Sequence, residues 1–144
     1  MRIQELTPVD VEHFPDLLED GVLYISEAYE LAAHRCCCGC GEEVMTPLNP
    51  ARWRLYRSGA RVSLVPSIGN WKFACRSHYW IRNNRVVPSY DMSDEEIAEV
   101  IEDDQLAREK YFATGKAEHG PDAKARRTRS TELKDWIQRL LARW

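Results

Sequence analysis

Four of the five cysteines in this 144-residue chain fall within five positions, in the run Cys36-Cys37-Cys38-Gly39-Cys40-Gly41. The fifth, Cys75, lies far downstream, with His78 three residues beyond it. Clustered thiolates suit one soft cation held tetrahedrally, and glycine after cysteine lets backbone amides turn toward the sulfurs, so the run reads first as a zinc site. A disulfide framework fits poorly. Neighbours as close as Cys36 and Cys38 cannot readily reach disulfide geometry, and an odd count leaves one thiol over. Two ligand sets satisfy the arithmetic. Cys36, Cys38, Cys40 and Cys75 supply four thiolates, with Cys37 turned away because adjacent side chains diverge in extended chain; alternatively, Cys75 and His78 form a Cys-x-x-His pair that completes a site with two upstream cysteines.

Four protein ligands leave no position for water, so the metal would be structural and any chemistry would come from elsewhere. The nearby candidates are Ser67, Asn70, Ser77 and His78. Ser67 lies in a stretch bounded by Pro66 and Gly69, where a hydroxyl can be presented on a scaffold. If a metal fixes Cys75, it also fixes His78, and a serine against that imidazole makes a pair able to attack a carbonyl. Asn70 could orient the ring or donate to an oxyanion, as could backbone amides over 68–70. Taken alone, the residue types favour a plainer reading: a serine after proline is usually a turn former, and a histidine three after a cysteine is often a ligand. His13, His34 and His119 read as surface or packing residues, and Trp53, Trp71, Trp80, Tyr79 and Tyr90 as core or rim.

Short strands must position these groups. Strand patterns occur at 21–26, 42–46, 52–57, 61–65, 71–75, 78–82 and 85–87, with a turn at Pro47-Leu48-Asn49-Pro50 and a tight turn at Asn83-Asn84. The pair 52–57 and 61–65 reads as a hairpin with one wet face, rich in Arg52, Arg54, Arg57 and Arg61, which could receive an acidic partner. Residues 66–70 break the alternation and are expected to be a loop, while 9–19 is expected to be an irregular lead-in or a short helical turn. Composition changes after residue 90. Ser93 and Glu96 form a capping box for a helix over 94–112, with Ile97, Val100, Ile101, Ala107, Tyr111 and Phe112 as its stripe. A charged linker over 114–129 precedes a second helix over 131–144, carrying Leu133, Trp136, Ile137, Leu140, Leu141 and Trp144.

The expected architecture is therefore α+β: a mainly antiparallel β domain over 1–90 built around a structural zinc, then a helical extension over 91–144 with two helices. The beginning of the chain lacks the apolar run of a signal peptide, and no stretch reaches the roughly 18 apolar residues of a membrane span, so a cytoplasmic protein without membrane contact is expected. A formal net charge of -3 provides no global field to gather nucleic acid.

The spacing of Cys36 to Gly41, the tryptophan strand at Trp53, Leu64-Val65-Pro66-Ser67-Ile68-Gly69-Asn70 and Cys75-Arg76-Ser77-His78-Tyr79-Trp80-Ile81 together resemble the BubE-like family. These are small bacterial proteins encoded beside ubiquitin-like conjugation enzymes. The likeness runs over roughly 21–87, and the position of Cys37, commonly proline in the family, departs from it. The resemblance implies a zinc-containing hydrolase that trims or removes a ubiquitin-like protein, partnered by that protein and its conjugation enzymes. Laid onto the matched motifs, it implies Ser67 as nucleophile and His78 as base, with Asn70 beside them. The rival expectations are a non-catalytic zinc-ribbon-like adaptor and a hydrolase whose zinc itself activates water.

Overall fold

Apolar, β-branched and aromatic residues recur at alternate positions between Val22 and Val87, and in the computed structural model, which describes residues 1–114, they form strands. The strands are β1 (Thr7–Asp10), β2 (Val22–Ser26), β3 (Leu31–Arg35), β4 (Glu43–Pro47), β5 (Arg54–Ser58), β6 (Arg61–Gly69), β7 (His78–Arg82) and β8 (Arg85–Pro88). One helix follows, α1 (Asp94–Ala113). Two four-stranded sheets result, ordered β1-β2-β3-β4 and β5-β6-β7-β8, and every pairing is antiparallel except β1 with β2. Two compact units divide the chain, Met1–Arg108 and Glu109–Trp144, and both sheets belong to the first. The expected mainly antiparallel β domain with a helix after it is thus observed. The second expected helix lies outside the described residues, as do His119 and nearly all of the charged linker. Among the described residues, no helix is long and apolar enough to cross a membrane.

The sheets turn one apolar face each into a common core. Leu23, Ile25 and Val44 from the first and Val62, Leu64, Ile68, Tyr79, Ile81 and Val86 from the second are all buried. Each such side chain contributes roughly 1.5–3 kcal/mol of transfer free energy. A polar link crosses the core where His34 Nε2 and the Tyr79 hydroxyl stand 2.8 Å apart. Burial lowers the His34 pKa to about 3, so it packs as a neutral ring. The outer face of the first sheet is also covered. Tyr24 pairs with Ala33 and Ala33 with Met45, and Val11, Phe14 and Leu18 of the irregular lead-in close over that row.

Four sequence expectations are corrected. β1 and β3 were not anticipated: β1 is largely exposed and weakly patterned, and β3, buried on both faces, shows no alternation to read. Residues 66–70 are not a loop, because β6 runs through Pro66 to Gly69 across a wide irregularity. Leu64 pairs with Ile81 and Ile68 with Tyr79, which leaves Val65, Pro66 and Ser67 opposite Trp80 alone. A bulge is a position in a sheet that tolerates proline, since the missing N–H is not called on. Residues 71–75 are not a strand, for Phe73 N–H bonds Asn70 O and Arg76 N–H bonds Phe73 O, curling the segment into successive turns. Finally, α1 keeps its capping box, with Ser93 and Glu96 exchanging both hydrogen bonds, but only Ile97 of its apolar stripe is buried.

The Asn83-Asn84 turn holds more than its own hairpin. Both residues have positive φ, 49° and 69°, as a tight hairpin turn requires. Asn84 N–H donates to Val62 O, its Oδ1 accepts from Val62 N–H at 2.7 Å, and its carbonyl accepts from Leu6 N–H. Asn84→Ala leaves the Val62 amide without that acceptor and places a Cβ-bearing residue less suited than asparagine at positive φ. We expect a loss of about 1–3 kcal/mol, read from the urea midpoint at constant m; an unchanged midpoint would contradict this role.

Candidate active site and sulfur cluster

The turn between β3 and β4 folds back because Gly39 N–H bonds Cys36 O, Cys36 N–H bonds Glu42 O, and Gly39 and Gly41 both adopt a φ of 90°. Glycine is required at 39 on a second count, since a Cβ there would stand 2.5 Å from the Arg2 side chain. This geometry gathers Cys36, Cys38 and Cys40 on one side, and the curled segment after β6 brings Cys75 to meet them. The four Sγ atoms lie within 4.8 Å of one another. Cys36 to Cys38 is 3.4 Å, Cys36 to Cys75 3.9 Å and Cys40 to Cys75 3.7 Å. A cation with metal–sulfur bonds of about 2.3 Å in a tetrahedron needs sulfur edges of about 3.8 Å, so these four residues could hold a metal ion.

The surroundings treat the sulfurs unequally: burial raises the pKa of Cys36 and of Cys38, whereas that of Cys75 is lowered. Ser77 Oγ sits 3.1 Å from Cys36 Sγ and 3.5 Å from Cys75 Sγ, while Asn70 Nδ2 donates to Ser77 Oγ at 2.9 Å and points at Cys36 Sγ at 3.7 Å. Cys40 N–H donates to Cys38 Sγ. Burial pushes the Cys75 thiol up, but hydrogen bonds with Ser77 outweigh it, with help from Cys38 and Cys40, and its pKa falls to about 7. Cys37 stands apart from the four. It is buried near Tyr79, and burial drives its pKa up to about 12, so it stays a thiol.

Of the two ligand sets open from sequence, the all-cysteine one is assembled. His78 is turned elsewhere: its Nε2 is 2.9 Å from Ser67 Oγ and its Nδ1 3.0 Å from the Tyr90 carbonyl oxygen. A carbonyl only accepts, so Nδ1 carries the proton and Nε2 presents its lone pair to the serine hydroxyl. The ring is nearly buried, with Trp71 at 4.9 Å and Tyr90 at 5.6 Å between centroids, both edge-on. Gly69 makes the Trp71 contact possible, because any Cβ there would fall 2.3 Å from the indole. Ser67 is aimed at the ring by the β6 bulge, half-buried, with its carbonyl accepting loosely from Trp53 Nε1 at 3.4 Å.

Asn70 is brought to the region but not to the imidazole. Its side-chain amide donates to Ser77, Cys36 and Tyr79, and its backbone N–H donates to Ser77 O at 2.9 Å, so neither donor faces the serine. The orienting partner of His78 is instead the main-chain carbonyl of Tyr90. Residue type carries no trace of such a role, since every residue has a carbonyl. Ser77, by contrast, stood among the candidates and proves to belong to the sulfur cluster rather than to the imidazole.

A family model described as bacterial ubiquitination-like system serine protease (BubE) matches residues 10–89, a span that holds the sulfur cluster, Ser67 and His78 and ends just before Tyr90. Comparison with curated proteins gives no match, and comparison with solved structures gives none either. With more than half of the chain matched in one continuous block, from the lead-in through β8, this protein belongs to the BubE family of bacterial ubiquitination-like system serine proteases.

Proposed function

We propose that this chain is a serine peptidase or isopeptidase that processes or releases a ubiquitin-like protein, with Ser67 as nucleophile, His78 as general base and acid, and a structural zinc on Cys36, Cys38, Cys40 and Cys75. The observation that carries the reading is the 2.9 Å contact between Ser67 Oγ and His78 Nε2, in a ring whose tautomer is set by Tyr90 O. Ser67 Oγ attacks the carbonyl carbon of the scissile bond as its proton passes to Nε2. The imidazolium returns that proton to the departing amine, leaving an ester on Ser67; water then attacks the ester, again deprotonated at Nε2, and frees the carboxylate and the serine. Throughout, Nδ1–H stays on the Tyr90 carbonyl, which keeps Nε2 turned toward Ser67. The Asn70 amide is spent on Ser77, so the oxyanion needs other donors; the Trp53 indole N–H, loosely bound beside Ser67, is one that can be redirected at small cost.

Zinc fits the four-sulfur donor set in number, softness and spacing. When bound it supplies structural crosslinking. The residues that act on substrate are those of the β6 bulge and β7, and the cluster sets where β7 begins.

Two outcomes are expected. Ser67→Ala lowers cleavage of a ubiquitin-like precursor by about three orders of magnitude or more while bound zinc, measured by atomic emission, stays at one per chain. Undiminished cleavage would overturn the nucleophile, and binding without turnover in the parent protein would make this an adaptor. Removal of zinc with a strong chelator is expected to lower the melting temperature and abolish cleavage over the same concentration range. Cleavage that stops while the fold persists would instead place the metal in the chemistry.

A further inference from the structure

Among the described residues, the second sheet has an exposed side. Along β7, Tyr79 and Ile81 face the core, so His78, Trp80 and Arg82 face outward together. Register carries that face across the sheet. Arg54 pairs with Val65 and Trp80 with Val87; in the next row Tyr56 pairs with Ser63 and Arg82 with Arg85. Tyr56 is 51% exposed, Val65 41% and Val87 38%, although all three stand on a four-stranded sheet. The Arg82 guanidinium lies 4.4 Å over the Trp80 ring. Arg54, Arg82 and Arg85 form no ion pair among the described residues, whereas Arg52 and Arg57 are paired with Asp104 and Asp10. None of these eight positions is acidic. Glu5, bridged to Arg85, marks the edge.

The equivalent side of the first sheet is closed by the lead-in, so an open apolar and cationic face is a local departure within this fold. It is also continuous with the candidate site, because the bulge that carries Ser67 stands directly opposite Trp80. Tyrosine, tryptophan and arginine are the side chains that most often anchor protein interfaces.

We propose that this face, centred on Trp80, Val65, Val87 and Tyr56 and framed by Arg54, Arg82 and Arg85, docks the folded body of the protein whose chain is cut at Ser67. The partner surface is apolar at its centre and rimmed by carboxylates. The proposal rests on the peptidase reading for the identity of its occupant. Charge selects that occupant: a second copy would set arginines against arginines, and residues 115–144 of the chain carry eight basic side chains against four acidic. An acidic partner is the complement of the face and is drawn to it although the whole chain is net negative.

The test measures affinity in the Ser67→Ala background by titration calorimetry, using the ubiquitin-like protein of the same system with its C-terminal extension intact. Affinity thereby reports the dock, and cleavage, measured separately, reports the nucleophile. Arg54→Glu with Arg85→Glu is expected to weaken binding at least tenfold and to flatten its dependence on salt, with the melting temperature kept. Tyr56→Ala, at a half-exposed position, tests the apolar centre without charge reversal and is expected to weaken binding severalfold. Unchanged affinity in both variants overturns the proposal. So does concentration-dependent self-association of the parent that the arginine changes abolish, which would assign the face to a second copy.

Discussion

Four sulfurs, three from the first sheet and one from the second, meet at a single point of this protein. Cys36, Cys38 and Cys40 belong to the turn joining β3 to β4 within the first sheet, and Cys75 belongs to the curled connection joining β6 to β7 within the second. Their convergence fixes the start of β7, since only Arg76 and Ser77 separate Cys75 from His78. Both neighbours are themselves tied down: Ser77 by the sulfurs and Asn70, and Arg76 by its pairing with Asp94. A histidine three residues from such an anchor has little freedom to drift. The cluster needs no open coordination position to matter, for its effect on the candidate site is positional.

Ser67 reaches the same point by a different constraint. An unbroken β6 would alternate Leu64, Pro66 and Ile68 inward and keep a strict ladder with β7, whereas the observed pairing places three residues opposite Trp80. The irregularity keeps Leu64 and Ile68 inward on either side while taking up two extra residues, and leaves Ser67 at the imidazole. One partner is thus set by its place beside the sulfur cluster and the other by register. Rigid placement from two independent sources is what holding a hydroxyl and a base within hydrogen-bond reach demands, because ångström errors at such a contact are costly in rate.

Much of this was readable from the chain. Alternation marks β2, β4 and the hairpins, the cysteine spacing marks a metal-type cluster with two possible ligand sets, and Ser67 and His78 stand out by residue type and by the family resemblance. What escaped has common physical causes. β3 is buried on both faces, so it has no period. Pro66 reads as the end of a strand because local rules count its missing N–H as a break, while a bulge makes that N–H unnecessary. Trp71, Phe73 and Cys75 alternate like a strand, yet main-chain turns at Asn70–Phe73 and Phe73–Arg76 curl the segment and carry Cys75 to three sulfurs distant in sequence. Asn70 is close to Ser67 in sequence but lies just past the end of β6, where its side-chain amide turns to Ser77, Cys36 and Tyr79. Tyr90 O, which sets the tautomer, left no mark because the acting atom is main chain.

The two sheets are treated unequally, and the inequality has an energetic logic. Covering an outer face removes apolar area from water at roughly 25 cal/mol per Å², and the lead-in over Tyr24, Ala33 and Met45 secures that gain for the first sheet. The same stabilisation is forgone on the second, where Tyr56, Val65 and Val87 remain in solvent. In the proposed reading that area is held in reserve for a partner. A nucleophile alone distinguishes poorly among scissile bonds, and binding energy gathered far from the reacting carbonyl can be used to orient it. A small domain has few surfaces on which to gather that energy, and the only one its own register connects to Ser67 through Trp80 is the one among the described residues that it leaves bare.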